Sequence, residues 1–142
     1  MSTTFWCPDA PTMRVPCPYC EAEGKRCDSY CRGYDEMSLA PEVTLSSGHA
    51  VLQLAVLGVE HEGEPYGKLT GSQLSDLLQR AMFVLATGKL AELVEAPSES
   101  TGPLGCRVVS LGLSCERLTS AMERLVDLFD YAARNRLAVH YG

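Results

Sequence analysis

The sequence predicts an α+β fold: a small β-sheet with two amphipathic helices packed on it, preceded by an N-terminal four-cysteine zinc knuckle. Three observations lead there. Five of the seven cysteines fall in the first 31 residues, in paired spacing. Two later stretches repeat apolar residues with helical period. Between and after them lie short runs of strand character bounded by Gly, Pro and Ser. The 142 residues, 46% hydrophobic and 21% charged, suit one chain with a real core and exclude disordered or collagen-like classes. Composition shifts at Leu39-Ala40-Pro41, which divides the chain into a zinc-knuckle segment, 1–38, and an α+β domain, 39–142.

The knuckle comes first. Cys17, Cys20, Cys27 and Cys31 stand in the order C-x2-C, six residues, C-x3-C. Four thiolates at such spacing make a closed tetrahedral shell for Zn2+, with Zn–S near ~2.3 Å. Pro18 stiffens the first turn and leaves the Cys20 amide free to point at sulfur. Gly24 and Gly33 follow the two cysteine pairs, where the chain needs positive φ. Arg14, Lys25, Arg26 and Arg32 are near enough in sequence to offset the negative charge of a four-thiolate zinc. An odd cysteine count without a secretory leader argues against a disulfide framework. An iron–sulfur cluster, a redox dithiol at Cys17/Cys20 and four unligated thiols are the competing readings. Cys7, ten residues upstream, is a spare thiol that could replace one of the four ligands, with the unliganded state as the default expectation.

The run Cys17-Pro18-Tyr19-Cys20-Glu21-Ala22-Glu23-Gly24 resembles the C-x-x-C-x-G-x-G knuckle of the DnaJ-type zinc domain, with Ala22 at the first glycine. Cys31-Arg32-Gly33 resembles the start of a second repeat with a wider cysteine spacing. The resemblance covers about 17 of 142 residues and implies zinc at Cys17, Cys20, Cys27 and Cys31. It does not imply chaperone function, because neither a J-domain motif nor further repeats accompany it.

The elements of the second segment follow in order. Glu42–Leu45, a turn at Ser46-Ser47-Gly48, and His49–Glu60 read as a strand hairpin, with Gln53 the only polar residue from Val51 to Val59. Tyr66–Leu69 reads as a short strand. Thr70 and Gln73 have capping-box spacing, and Leu74, Leu77, Leu78, Ala81, Met82 and Leu85 predict a helix over 71–86. Lys89–Ala96 reads as a last turn or short helix, and 97–103 as a loop. Cys106–Leu113 alternates as a strand. Ser114 is an N-cap for a helix of over five turns, whose stripe runs from Leu118 to Ala132. Arg134-Asn135-Arg136 ends it, and Leu137–Tyr141 closes the fold as a strand.

Candidate chemistry beyond the cysteines is thin. Glu60-His61-Glu62 sits in a charged Gly/Pro turn. Cys115 falls at the first position of a helix, where a thiol can be activated. Thr70-Gly71-Ser72 could hold an anion but also performs ordinary capping. No Ser/His/Asp order, phosphate-binding glycine loop or H-E-x-x-H motif occurs, which places an enzyme third among the function classes.

The net charge is −6, divided as −2 over residues 1–38 and −4 over 39–142, which disfavours nucleic acid as the partner. No apolar run approaches the roughly 20 residues of a membrane span, and no signal peptide is evident, so a cytoplasmic protein is expected. The expected function is that of a non-enzymatic zinc-binding protein acting through protein–protein interaction: an adaptor or inhibitor, of the kind phages and mobile elements encode. Nine arginines to three lysines suit a GC-rich genome. The candidate partner-binding residues are Trp6, Tyr19, Lys25, Arg26, Tyr30 and Arg32, whose mix of aromatic and basic chemistry also gives the alternative, a zinc-finger nucleic-acid-binding regulator. Trp6, in the N-terminal arm, either packs over the knuckle or anchors a partner.

Overall fold

The computed structural model describes residues 1–15, 17–24, 35–63, 65–93, 98–101, 107–110 and 114–142. The strands are Ser2–Trp6 (β1), Thr12–Val15 (β2), Asp35–Ser38 (β3), Val43–Ser46 (β4), Gly67–Leu69 (β5), Ser98–Thr101 (β6), Arg107–Ser110 (β7) and Val139–Tyr141 (β8). The helices are Pro18–Ala22 (α1), Ser47–Val56 (α2), Gly71–Thr87 (α3) and Cys115–Asn135 (α4), with a 3-10 turn over Lys89–Leu93.

The architecture is α+β. Strands β4, β1, β8 and β5 form one antiparallel sheet in that order, and β2–β3 and β6–β7 are separate two-stranded ribbons. Residues 2–6, which lie on the knuckle side of the division at residue 38, supply the second strand of the main sheet. Alternation explains the two faces. Thr3 and Phe5 of β1, Val43 and Leu45 of β4, Leu69 of β5, and Val139 and Tyr141 of β8 are buried. Thr4, Thr44, Lys68 and His140 alternate with them and stand on the opposite face.

Helices α3 and α4 pack together and on the sheet. The Gln73 side chain accepts the Thr70 N–H at 3.3 Å, which starts α3 as the capping-box spacing requires. Gly88, with φ +66, ends it. Ser114 Oγ accepts the Arg117 N–H at 3.2 Å and starts α4. Leu118, Ala121, Met122, Leu125, Leu128, Phe129 and Ala132 form the buried stripe of α4. Arg136 ends it in the left-handed region at φ +56.

Two expectations fail. His49–Glu60 is not the second strand of a hairpin: residues 47–56 form α2. Ser46 caps it by accepting the His49 N–H at 3.4 Å. Its buried positions Ala50, Gln53 and Leu54, with Leu57 one turn on, lie three and four residues apart. The apolar run, interrupted only by Gln53, hid this stripe, although Ala50, Leu52, Gln53, Leu54 and Ala55 are good helix formers. The expected loop at 97–103 contains β6, which pairs with β7 in the register Ser98↔Ser110 to Thr101↔Arg107. Polar Ser/Thr composition reads as loop, but cross-strand pairing overrides it.

Gln53 joins α2 to α4 through the core. It is fully buried, and its Nε2 donates to the Leu118 carbonyl at 2.9 Å. Its Oε1 is buried without a hydrogen-bond partner among the described residues. Removing both polar atoms therefore offsets the lost bond, whereas adding charge cannot be compensated. Gln53→Met is expected to change urea-unfolding stability by less than about 1 kcal/mol. Gln53→Glu is expected to cost roughly 2–4 kcal/mol at neutral pH, the deficit shrinking as acid neutralises the carboxylate.

Candidate metal centre

The predicted knuckle lies between the strands of the β2–β3 ribbon. The register runs from Thr12↔Ser38 to Val15↔Asp35, so the cysteine-bearing stretch leaves and rejoins the ribbon at neighbouring positions. The Leu39 N–H donates to the Pro11 carbonyl at 2.8 Å and ties the base of the ribbon.

Cys17 is the N-cap of α1 and is 2% exposed, while Cys20 is half-buried. Pro18 occupies the first helical turn, where its fixed φ favours helix and its missing N–H is not needed. The turn brings the Cys20 N–H to 3.3 Å from Cys17 Sγ, which accepts it. Gly24, at φ +65, follows the turn and redirects the chain. Two sulfurs one helical turn apart, one of them buried and supplied with an amide, form a donor pair that suits zinc. Cys27 and Cys31 lie outside the described residues, as do Lys25, Arg26, Tyr30, Arg32 and Gly33. Among the described residues, no three His, Cys, Asp or Glu side chains gather closely enough to hold a metal.

Around this pair the structure places the remaining candidates differently. Tyr19 is 82% exposed. Trp6 belongs to β1 and lies against His140 of β8, with ring centroids 5.8 Å apart and tilted by 48°. Sequence reasoning overlooked one ribbon face. Met13 and Met37 are direct cross-strand partners, 50% and 55% exposed, and Leu39 continues that face. The signal was present as two apolar alternations, Met13/Val15 and Met37/Leu39, on either side of the knuckle.

Cys7 packs in the hydrophobic core with Phe5, Ala10 and Ala40. Burial pushes its pKa up, and the Asp9 carboxylate adds to the shift, so the protonated thiol is favoured. Cys115 is exposed at the start of α4, 3.9 Å from the Thr119 hydroxyl. His61 borders an open depression with Ala55, Val59 and its own flanking glutamates, and no cysteine, serine or threonine lines it.

Comparison with protein-family models, curated proteins and solved structures finds no match to this chain. Among the described residues, no helix is long and apolar enough to cross a membrane.

Two buried acids couple folding to alkaline pH. Desolvation raises the Tyr141 pKa, as burial and Asp9 raise that of Cys7. The unfolded chain releases both protons at lower pH than the folded chain does, so it binds fewer protons in the alkaline range. Stability from these groups is therefore complete below the ordinary thiol range and is lost as pH rises through it. Urea midpoints are expected to fall between pH 8 and pH 10.5, and Cys7→Ala is expected to flatten the first part of that fall.

Proposed function

We propose that this chain is a cytoplasmic, non-enzymatic zinc-binding protein that acts by docking on another protein. The observation that carries this reading is the Cys17/Cys20 turn: a buried Cys17 sulfur accepts the Cys20 amide at 3.3 Å, in the stretch of chain between the paired strands β2 and β3, where the sequence also puts Cys27 and Cys31. Cys17, Cys20, Cys27 and Cys31 would hold the ion, and a reducing compartment would keep them available as thiolates. Bound zinc supplies a closed structural crosslink, with no open position for catalysis. The chain itself supplies the presenting surface. Methionine side chains are flexible and polarisable, so an exposed Met13/Met37 pair with Leu39 on the same ribbon face suits an adaptable protein contact. The acidic balance of −6 supports a protein partner over a polyphosphate.

Native mass spectrometry of protein purified gently from its own host, set beside the denatured mass, tests both halves of the reading. One zinc per chain with a stoichiometric protein partner is expected, and that partner is expected to crosslink to the β2–β3 ribbon. A metal-free chain with reduced thiols would overturn the zinc assignment, and a bound oligonucleotide would replace the protein partner.

Cys17→Ser and Cys27→Ser are each expected to abolish zinc binding and to raise amide exchange across residues 12–38. The protection of α3 and α4 is expected to stay within about tenfold of the parent. Met13→Asp together with Met37→Asp is expected to retain zinc and lose the partner.

A further inference from the structure

Helix α2 has no polar side. Its buried positions Ala50, Gln53 and Leu54, with Leu57 at its end, face the core. Gln53 is the one polar residue from Val51 to Val59, and its side chain is spent inside, on the Leu118 carbonyl. The opposite side of the helix therefore shows solvent Gly48, Val51 and Ala55, flanked by half-buried Leu52 and Val56. Val51 is 36% exposed. The other long helices turn polar residues outward, α3 with Ser72, Ser75 and Gln79 and α4 with Glu123, Arg124 and Asp127. A helix that is apolar on every side is ordinarily covered on every side.

The order of sizes along the exposed side identifies what covers it. Gly48, Val51, Leu52 and Ala55 run small, large, large, small, an order that reads the same from either end. Two copies of α2 laid antiparallel about a twofold axis set Gly48 opposite the partner's Ala55 and Val51 opposite the partner's Leu52. The small residues then let the helices approach while the large ones interlock. Such a surface is self-complementary, as an isologous contact requires.

Charge at the two ends of the helix favours the same arrangement. The depression at the N-terminal end, beside Ser46 and His49, is lined by Arg117, Arg124 and Glu116 and is net positive. The depression at the C-terminal end, beside Ala55 and Gly58, is lined by Glu60, His61 and Glu62 and is net negative. Antiparallel pairing sets each basic end against an acidic end and opposes the two helix dipoles, whereas parallel pairing sets like ends together. The ten residues of α2 give a face about 15 Å long. That is small beside the roughly 800 Å² per partner of a standard interface, so the contact is a reversible one.

We propose that the outer side of α2 is a self-association surface on which a second copy of this chain packs antiparallel, Val51 against the partner's Leu52, with Arg117 and Arg124 facing the partner's Glu60 and Glu62. The surface shares no residue with the cysteine stretch or the β2–β3 ribbon, so the proposal stands independently of the zinc reading.

Sedimentation velocity of the full chain, reduced and supplied with zinc, tests this. Between about 5 and 500 μM a monomer–dimer equilibrium is expected, with Kd on the order of 10–100 μM. The amide signals of Val51, Leu52 and Ala55 are expected to shift as the dimer forms, and those of Met13 and Met37 to stay in place. Val51→Glu and Ala55→Glu, both at exposed positions, are expected to keep the parent circular dichroism and to weaken association at least about tenfold. Arg117→Glu and Glu62→Arg are each expected to weaken it roughly threefold, and the double variant to regain the parent affinity, which a parallel pair would not allow. A chain that stays monomeric throughout would overturn the proposal, even if a different protein were found seated on α2. So would a dimer that survives both glutamate variants, or a double variant weaker than either single one.

Discussion

The structure depends on one strand pairing, between the first strand of the chain and the last. β1 and β8 are the two central strands of the main sheet, and everything else in it attaches to them. The Thr4 N–H donates to the Gly142 carbonyl at 2.9 Å, and the Gly142 N–H returns to the Thr4 carbonyl at 3.2 Å. The register sets a row across all four strands: Val43, Phe5, Tyr141 and Gly67. Phe5 and Tyr141 stack at 5.5 Å with their planes 21° apart. A one-residue slip would send Phe5 and Tyr141 to the outer face and Trp6 and His140 into the core. Each large apolar side chain buried in that row contributes about 1.5–3 kcal/mol, which makes the slipped register untenable.

This closure explains why the N-terminal residues cannot be treated as an arm of the knuckle. The chain spends residues 2–6 on the sheet, turns at Cys7–Ala10, and only then builds the β2–β3 ribbon. After β3 it returns at once to β4, which pairs with β1 on the edge opposite β8. The β2–β3 ribbon is thus an excursion between two strands that both serve the main sheet. Cys7 in the core and Cys17 at the head of α1 are divided by this path: apolar packing and an acidic neighbour favour the thiol in one, while the sulfur of the other accepts a directed amide.

The same fold produces a cleft beside β5 that Gly58, Arg80 and Tyr141 help to line. Tyr141 reaches it only because its strand is central and its neighbour at Gly67 has no side chain. Arg80 reaches it because α2 ends in a left-handed glycine against which α3 packs its guanidinium.

What the sequence determined by itself was local. Periodicity marked α3 and α4, caps at Thr70 and Ser114 fixed their starts, and the cysteine spacing singled out a turn in which Cys17 accepts the Cys20 amide. These features depend on residues three or four apart, whose interactions form in any context. The tertiary structure decided the rest. It made His49–Val56 part of a helix, because a helix puts Ala50, Gln53, Leu54 and Leu57 on one buried face. It drew polar Ser98–Thr101 into a ribbon by giving it a partner, and Trp6 into a sheet by giving it two. It alone placed Tyr141, Gly67, Arg80 and Gly58 around one cleft. Those outcomes turn on contacts between residues far apart in the chain, and no local pattern carries that information.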